Sequence, residues 1–444
     1  MFSKVLIASR GEIAVRVIRA CKEMGIATVA VFSEADRDTL WVNLADESIC
    51  IGPPSVSASY LNMKAILSAA ISTGAQAIHP GYGLLSENAR FAALCEKCGL
   101  VFIGPSSQLI SLMGDKDEAR KTMAALGVPI IPGSGVIKDA YEAAIVAQQI
   151  GYPLLIKAKA GGGGRGIRLV SEPAMLQREF DAATTEAAAY FGDSGVYLEQ
   201  YISPVNHVEM QILCDHQGNA VCLGDRECSI QRKNQKMLEE SPSMAITPEM
   251  RAEITALCIK SMQAIGYLGL GTIEFLCTQN GKYFFMEMNT RLQVEHPVTE
   301  FVTGIDLVKW QVRVASGMPL TFSQEDIKFS GCAIECRINA ENPAMAYRPS
   351  SGKITLLHIP GGPWVRFDTA IYQDYIVPPY YDSLMAKLIV HASTREEAVR
   401  KMKAALCEMV IEGVEHNADL HLEILEDETF LSGNYHTDFM EKRG

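Results

Sequence analysis

Residues 269–297 read GLGTIEFLCTQNGKYFFMEMNTRLQVEHP, two alternating runs around Asn280-Gly281. Asn-Gly between such runs is a strong short-range signal for a two-residue hairpin. With that turn Gln279 faces Lys282, and counting away from it sets Glu274 opposite Glu287. Like charges opposed on one face weaken a strand pair, and a cation between them removes the penalty. The period of two puts Asn289 and Arg291 on the face of Glu287. It puts Ile273, Phe275, Cys277, Phe284, Met286 and Met288 on the other face, as core. Hard oxygen donors gathered in this way suit Mg2+ shared with substrate phosphates. The competing reading is a solvated face of mixed charge, which cross-strand interactions of about 1 kcal/mol would tolerate.

The 444 residues suffice for two or three domains, and 48% hydrophobic content supplies their cores. Forty Lys and Arg against 52 Asp and Glu give a net charge of −12. Nucleic acid and anionic membrane are therefore not expected as partners. The opening MFSKVLIASRGE meets charge at once, unlike a signal peptide, and no run approaches the ~20 apolar residues of a membrane span. Twelve cysteines are scattered, and the CxxC of Cys95 and Cys98 has no second pair. Zinc would want two such pairs, so buried free thiols in a reduced, cytoplasmic protein are expected.

Residues 5–8, 11–24 and 28–32 read as strand, helix and strand, a βαβ unit. The single glycine of Ser9-Arg10-Gly11-Glu12 makes a scaffold more fitting than a dinucleotide site. Residues 79–83 are expected as a structural turn at a strand end. A helix over 115–126 carries Lys116 in its first turn, against the helix dipole unless an anion sits there. Strand 152–158, with Lys157, and strand 167–170 flank the glycines at 161–166. The GxGxxG spacing does not open a helix here, which argues against a dinucleotide fold. A flap whose bare amides close over phosphates fits better. Residues 196–202, with Glu199, and 207–213 alternate as strands. Residues 225–236 read as a polar loop whose Arg226, Arg232, Lys233 and Lys236 suit an anion. A helix over 248–265 leads into the hairpin. A second charged cluster, Arg291, Glu295 and His296, ends at Pro297, and one apolar helix runs on to about residue 316. Along 332–341, Glu335, Arg337 and Asn339 share one face and Ile334, Cys336 and Ile338 the other.

Eight stretches together resemble the biotin carboxylases of the ATP-grasp superfamily, almost end to end. They are IASRGEIAVRVIRA (7–20), HPGYGLLSEN (79–88), MGDK (113–116) and KAKAGGGGRGIR (157–168), then HVEMQIL (207–213), RECSIQRKNQK (226–236), FMEMNTRLQVEHPVTE (285–300) and ECRINAE (335–341). The chain resembles the stand-alone biotin carboxylase subunit of bacterial-type multi-subunit acetyl-CoA carboxylase. The resemblance implies a multidomain α/β and α+β fold. Residues 1–114 would be Rossmann-like, 115–330 an ATP-grasp core with a mobile lid at about 130–203, and 331–444 a mixed α+β domain.

Site residues follow from the same resemblance. Lys116 and Lys157 would hold ATP phosphates, and Gly163 and Gly164 would lie in the lid loop. Glu199, Gln200, Tyr201 and Ile202 would receive adenine, with His207 near the ribose and Gln231 and Asn234 also at the nucleotide. Glu274, Glu287 and Asn289 would hold Mg2+ or Mn2+, two ions in all. Lys236, Arg291 and the backbone of Val294 would bind bicarbonate, and Glu295 would deprotonate it. Arg291 and Arg337 would stabilise carboxyphosphate and the biotin enolate. Asn234 stands where some members have histidine, and Lys159 and Ala160 depart from the usual residues before the lid glycines.

The activity implied is ATP- and bicarbonate-dependent carboxylation of biotin on a separate carrier protein. That is the first half-reaction of acetyl-CoA carboxylase, which supplies malonyl-CoA for fatty acid synthesis. A biotin carboxyl carrier protein, carboxyltransferase subunits and a second copy of the chain would be its partners. Carboxylases of other acyl-CoAs or of 2-oxo acids share this half-reaction. Met402-Lys403 is not expected to carry biotin, because its period is helical and a biotinyl lysine needs an exposed hairpin tip. The intact set of charged residues weighs against a dead nucleotide sensor, and the long C-terminal region against an amide-forming ligase.

Overall fold

The computed structural model describes residues 1–159 and 166–443. Short apolar strands come first: β1 (Lys4–Ile7), β2 (Ala27–Phe32), β3 (Glu47–Cys50), β4 (Ala77–His79) and β5 (Val101–Phe102). They form a parallel sheet in the order β3-β2-β1-β4-β5. Parallel neighbours need crossovers, and the helix Gly11–Glu23 supplies the first. Val5, Leu6 and Ile7 are fully buried, as expected where both sheet faces are covered. β1 and β4 are adjacent and parallel, so the loops after Ile7 and His79 leave the same sheet edge, where open α/β sheets bind ligands.

A second, smaller sheet holds β6 (Gly133–Ile137), β7 (Leu154–Ala158), β8 (Ile167–Val170) and β9 (Val196–Gln200), in the order β6-β9-β7-β8. Leu154, Ile156, Val196 and Leu198 pack with Ala143, Ala147, Phe180 and Ala183 of the helices Ala140–Ile150 and Leu176–Phe191. This cluster is a core of its own, as a flap requires.

The third sheet is the largest, with eight strands. Its strands are β10 (Val205–Cys214), β11 (Ala220–Arg232), β12 (Gln235–Ser241), β13 (Gly269–Thr278), β14 (Tyr283–Asn289), β15 (Cys332–Asn339), β16 (Val365–Thr369) and β17 (Leu384–Ala392). Their order is β14-β13-β10-β11-β12-β15-β17-β16, antiparallel throughout. The β12–β15 pairing fuses the C-terminal strands onto the central ones. Apolar residues of one face pack on helices: Ile254 and Met262 of Pro248–Ala264 against β10 and β13, and Met402 and Leu406 of Arg395–Glu408 against β15 and β17. Alternation then leaves the other face polar, beneath residues 291–303.

Three expectations need correction. The hairpin loop has three residues, not two: Cys277 pairs with Tyr283 and Thr278 N donates to Lys282 O at 2.8 Å. Gly281 takes φ +75°, and the pairing then shifts between Phe275 and Glu274, leaving Met286 as a bulge. The two departures cancel, so Glu274 still faces Glu287, but Tyr283 and Phe285 enter the core in place of Phe284 and Met286. Residues 225–236 are not a loop. They belong to β11 and β12, joined by a two-residue turn in which Lys233 and Asn234 take φ of 48° and 62°. Buried polar side chains on both faces of β11 had hidden the strand pattern. The apolar helix after the charged cluster is two helices, His296–Thr303 and Leu307–Ala315, separated at left-handed Gly304. Pro297 sits in the first turn of the former, where its missing N–H is harmless.

All twelve cysteines are free, and Lys403 lies on a helix paired with Glu426 at 2.8 Å. Among the described residues no helix is long and apolar enough to cross a membrane.

Candidate active site

Glu287, Glu274, Glu209 and Arg226 stand side by side on β14, β13, β10 and β11. Three adjacent carboxylates would repel unless compensated. Fully buried Arg226 donates to Glu209 Oε2 from Nε and Nη2 at 3.2 and 3.0 Å. It also reaches Gln211, Thr272 and Thr299. Lys236 rises from β12 into the cluster, bonding Glu209, Glu274 Oε1 at 3.2 Å and Glu295 Oε1 at 2.8 Å. Glu274 further accepts from Asn289 at 2.6 Å and Gln293 at 3.0 Å, and meets His207 Nε2 at 2.9 Å.

Charge state follows from these contacts. Burial opposes the charge on Lys236, but Glu209, Glu274 and Glu295 hold its proton well above the ordinary lysine value. Burial would likewise raise Glu274, yet Lys236 and His207 outweigh it and hold the carboxyl down at about 2. Glu295 is also lowered: burial raises it, and Lys236 and Arg337 more than compensate. The cluster is therefore a set of ionised carboxylates around an ionised lysine.

The segment 291–295 brings the remaining charged groups. Arg291 donates to Glu87 Oε2 at 2.7 Å, Asn289 Oδ1 at 2.9 Å and Gln293 Oε1 at 2.6 Å. Arg337 of β15 donates to Glu239 at 2.6 Å and to Glu295 Oε2 at 3.0 Å. Lys387 of β17, fully buried, donates to the Val294 carbonyl at 2.8 Å and pairs with Glu12 at 3.1 Å. Lys236, Arg291, Glu295 and Arg337 line one side of a cavity of about 510 Å³. Arg10 and Tyr82 of the parallel-sheet loops line the other, so the first sheet closes the site.

The residues expected at the nucleotide make further contacts. Lys116 opens the helix Lys116–Ala125, capped by Asp115, and its Nζ lies 3.3 Å from Glu287 Oε2. Glu199 of β9 is bound by both Lys157 and Arg120. Beside it, the N–H groups of Gln200 and Tyr201 donate to the carbonyls of Pro132 and Pro153. Ile202 follows at once, half-buried. His207 Nδ1 meets Gln231 Nε2 at 2.6 Å, so His207 is tied to Glu274 on one side and Gln231 on the other. Asn234 lies at the β11–β12 turn on the cavity wall. His79 is fully buried and accepts from Gly81 N at 3.0 Å, the expected turn. Gly163 and Gly164 lie outside the described residues.

The geometry adds groups that were not singled out from sequence: Glu209, Gln293, Glu239 and Lys387. Glu209 shares a face with His207 by the period of two, which was legible. Lys387 is a lone lysine in an apolar strand, itself a signal because lysine is rarely buried without a partner.

An antiparallel sheet with clustered carboxylates and lysine, flanked by a small independent sheet, is the ATP-grasp fold. The class it defines is the ATP-dependent ligases. Family models match along the chain: "Biotin carboxylase, N-terminal domain" at residues 1–110, "Carbamoyl-phosphate synthase L chain, ATP binding domain" at 115–323 and "Biotin carboxylase C-terminal domain" at 335–442. Biotin carboxylase 1 of Bacillus subtilis (strain 168) is 55% identical over 443 residues, 99% of this chain and 98% of that protein. The chain belongs to the biotin carboxylases. A pyruvate carboxylase component of Methanothermobacter thermautotrophicus is 51% identical over 443 residues, 100% of this chain and 90% of that one. A solved structure matches with a TM-score of 0.96 at 49% identity, covering 100% of this chain and 98% of its own. It is the biotin carboxylase domain dimer of the Hydrogenobacter thermophilus 2-oxoglutarate carboxylase, with MgADP, ADP and bicarbonate.

Proposed function

We propose that the chain carboxylates biotin on a separate carrier protein, using ATP and bicarbonate, through carboxyphosphate. The observation that carries this reading is Lys236, Glu295 and Arg337 joined in one contact chain on the wall of the cavity, beside Glu274. Lys236 and Arg291 bind bicarbonate with the backbone of Val294. Bicarbonate is a poor nucleophile until its remaining proton leaves, and the Glu295 carboxylate, held ionised, takes it. Lys116 and Lys157 hold the ATP phosphates as negative charge spreads over the γ-phosphoryl oxygens. Adenine lies against residues 199–202, with His207, Gln231 and Asn234 nearby. Arg291 and Arg337 stabilise carboxyphosphate and then the biotin enolate. A lid over about 130–203 that closes on ATP keeps water from these labile species.

Opposed Glu274 and Glu287, with the Asn289 oxygen, form a hard donor set, and Glu274 is kept ionised. These residues would hold Mg2+ or Mn2+, which neutralises phosphate charge when bound.

The final acceptor is read as acetyl-CoA, supported by the stand-alone biotin carboxylases among the relatives. Relatives named for pyruvate and 2-oxoglutarate carboxylases favour a 2-oxo acid as the second reading. The chain acts as a homodimer, as the named Hydrogenobacter domain does. The test is carboxylation of free biotin against a biotinylated carrier. The carrier supplies effective concentration and should raise the rate well above that with free biotin. Equal rates, or biotin found on this chain by intact mass, would overturn the separate-carrier reading.

A further inference from the structure

Glu335 is fully buried on β15, and among the described residues neither of its carboxylate oxygens has a hydrogen-bond partner. An ionised carboxylate in that state is expensive, and a buried polar group without a partner calls for an explanation. Across the β12–β15 pair the Cα partner of Glu335 is Glu239, also fully buried. Glu239 gives Oε1 to Arg337, at 2.6 Å from Nε and 2.5 Å from Nη2, while its Oε2 has no partner. Two acidic side chains at one register position thus leave three unpartnered oxygens.

Among the described residues no cation forms an ion pair with Glu335, and the two whose charge it feels, Lys387 and Arg337, are engaged elsewhere. Arg337, on the same strand, bonds Glu239 and Glu295. Lys387, on the adjacent strand, bonds the Val294 carbonyl and pairs with Glu12 and, at 4.0 Å, Asp368. Glu295, from the 291–295 segment, adds a further negative charge.

We propose that Glu239 and Glu335 share a single proton and act as a positioning pair for Arg337. The inference rests on Arg337 working on the substrate. A proton on Glu335 makes that group a donor to the free oxygen of Glu239, and the pair then carries one negative charge instead of two. Arg337 is left divided between Glu239 and Glu295, free to turn to an anion in the cavity. A doubly charged pair would hold the guanidinium down. Burial agrees in direction: it pushes Glu335 well above its ordinary value, against Lys387 and Arg337. It pushes Glu239 up to about 7 against Arg337. The proton belongs to the pair as a unit. Both values are raised, so the protonated pair persists at low pH and is lost as pH rises.

The proton can be read without turnover. Infrared spectra of the substrate-free protein near neutral pH should show the carbonyl stretch of a protonated carboxyl. Buried Glu227, pushed up to about 7, adds a band of its own, so the pair is read from difference spectra. Intensity should be lost from the wild-type band in Glu335→Gln and, independently, in Glu239→Gln. A wild-type spectrum without a protonated carboxyl, or a band unchanged by both substitutions, overturns the shared proton whether or not biotin is carboxylated. In turnover, Glu335→Leu should lower kcat ~10-fold with an unchanged KM for ATP. Glu335→Gln, which keeps a neutral donor, should restore kcat. It should also lack the alkaline decline of the wild type, because its single charge cannot become two. Equal losses in the Leu and Gln variants would overturn the positioning role.

Discussion

Replacing Lys236 by Met keeps much of the side-chain volume and removes the ammonium that Glu209, Glu274 and Glu295 share. Glu274 is held at about 2 against an ordinary 4.5, a preference for the ionised form worth about 3 kcal/mol. Lys236 is the largest of the groups that lower it, ahead of His207. Breaking a buried pair from one side costs about 3–5 kcal/mol, and the abandoned carboxylates relieve part of that by taking up protons. The expected loss at pH 8 is about 3 kcal/mol, or roughly 6–12 °C in melting temperature for a cooperative unit of about 150–250 residues. Its pH dependence has a definite sign. In the wild type the depressed Glu274 adds stability above about pH 4.5 and loses it as pH falls toward 2. In Lys236→Met the abandoned carboxylates titrate above their unfolded values, so the variant loses stability as pH rises. Calorimetric melting of the substrate-free proteins between about pH 5.5 and 8.5 should therefore show the gap widening with pH. An unchanged melting point, or a gap indifferent to pH, would refute the account of the cluster.

Glu295→Gln keeps size and polarity but cannot take a proton. Turnover should drop by roughly 10²–10⁴-fold while ATP affinity holds, as steady-state kinetics and nucleotide titration would show. Glu287→Gln should abolish most turnover without lowering the melting point of the substrate-free protein, since it removes one of two opposed carboxylates. Near-normal activity at ordinary Mg2+ would remove Glu287 from the metal set. Lys387→Met releases the Val294 carbonyl and should raise the KM for bicarbonate ~10-fold while the KM for ATP stays put.

The alternation around Asn280 put Glu274 opposite Glu287 because the turn and the Met286 bulge each displaced the register by one, in opposite senses. The strand character of 225–236 was hidden for a physical reason. Residues 225–230 are buried, and polar groups on both faces satisfy one another, Arg226 with Glu209 on one and Asp225 and Glu227 with Arg251 and Ser243 on the other. The contacts that make the site were beyond local pattern altogether. Lys236 meets Glu295 across 59 residues of chain, and Arg337 meets Glu239 across 98. These meetings depend on how β10, β12 and β15 order themselves in the sheet. Motif resemblance supplied Lys236, Glu295 and Arg337; the face of Glu209 was legible from its alternation with His207, but its place between Lys236 and Arg226 needed the strand pairing.

ADP release with bicarbonate, measured with and without free biotin, tests the central claim most directly. The reading predicts slow release that requires bicarbonate, rises when biotin is added, carries label from bicarbonate into carboxybiotin, and collapses in Glu295→Gln. Release indifferent to both bicarbonate and biotin would contradict it.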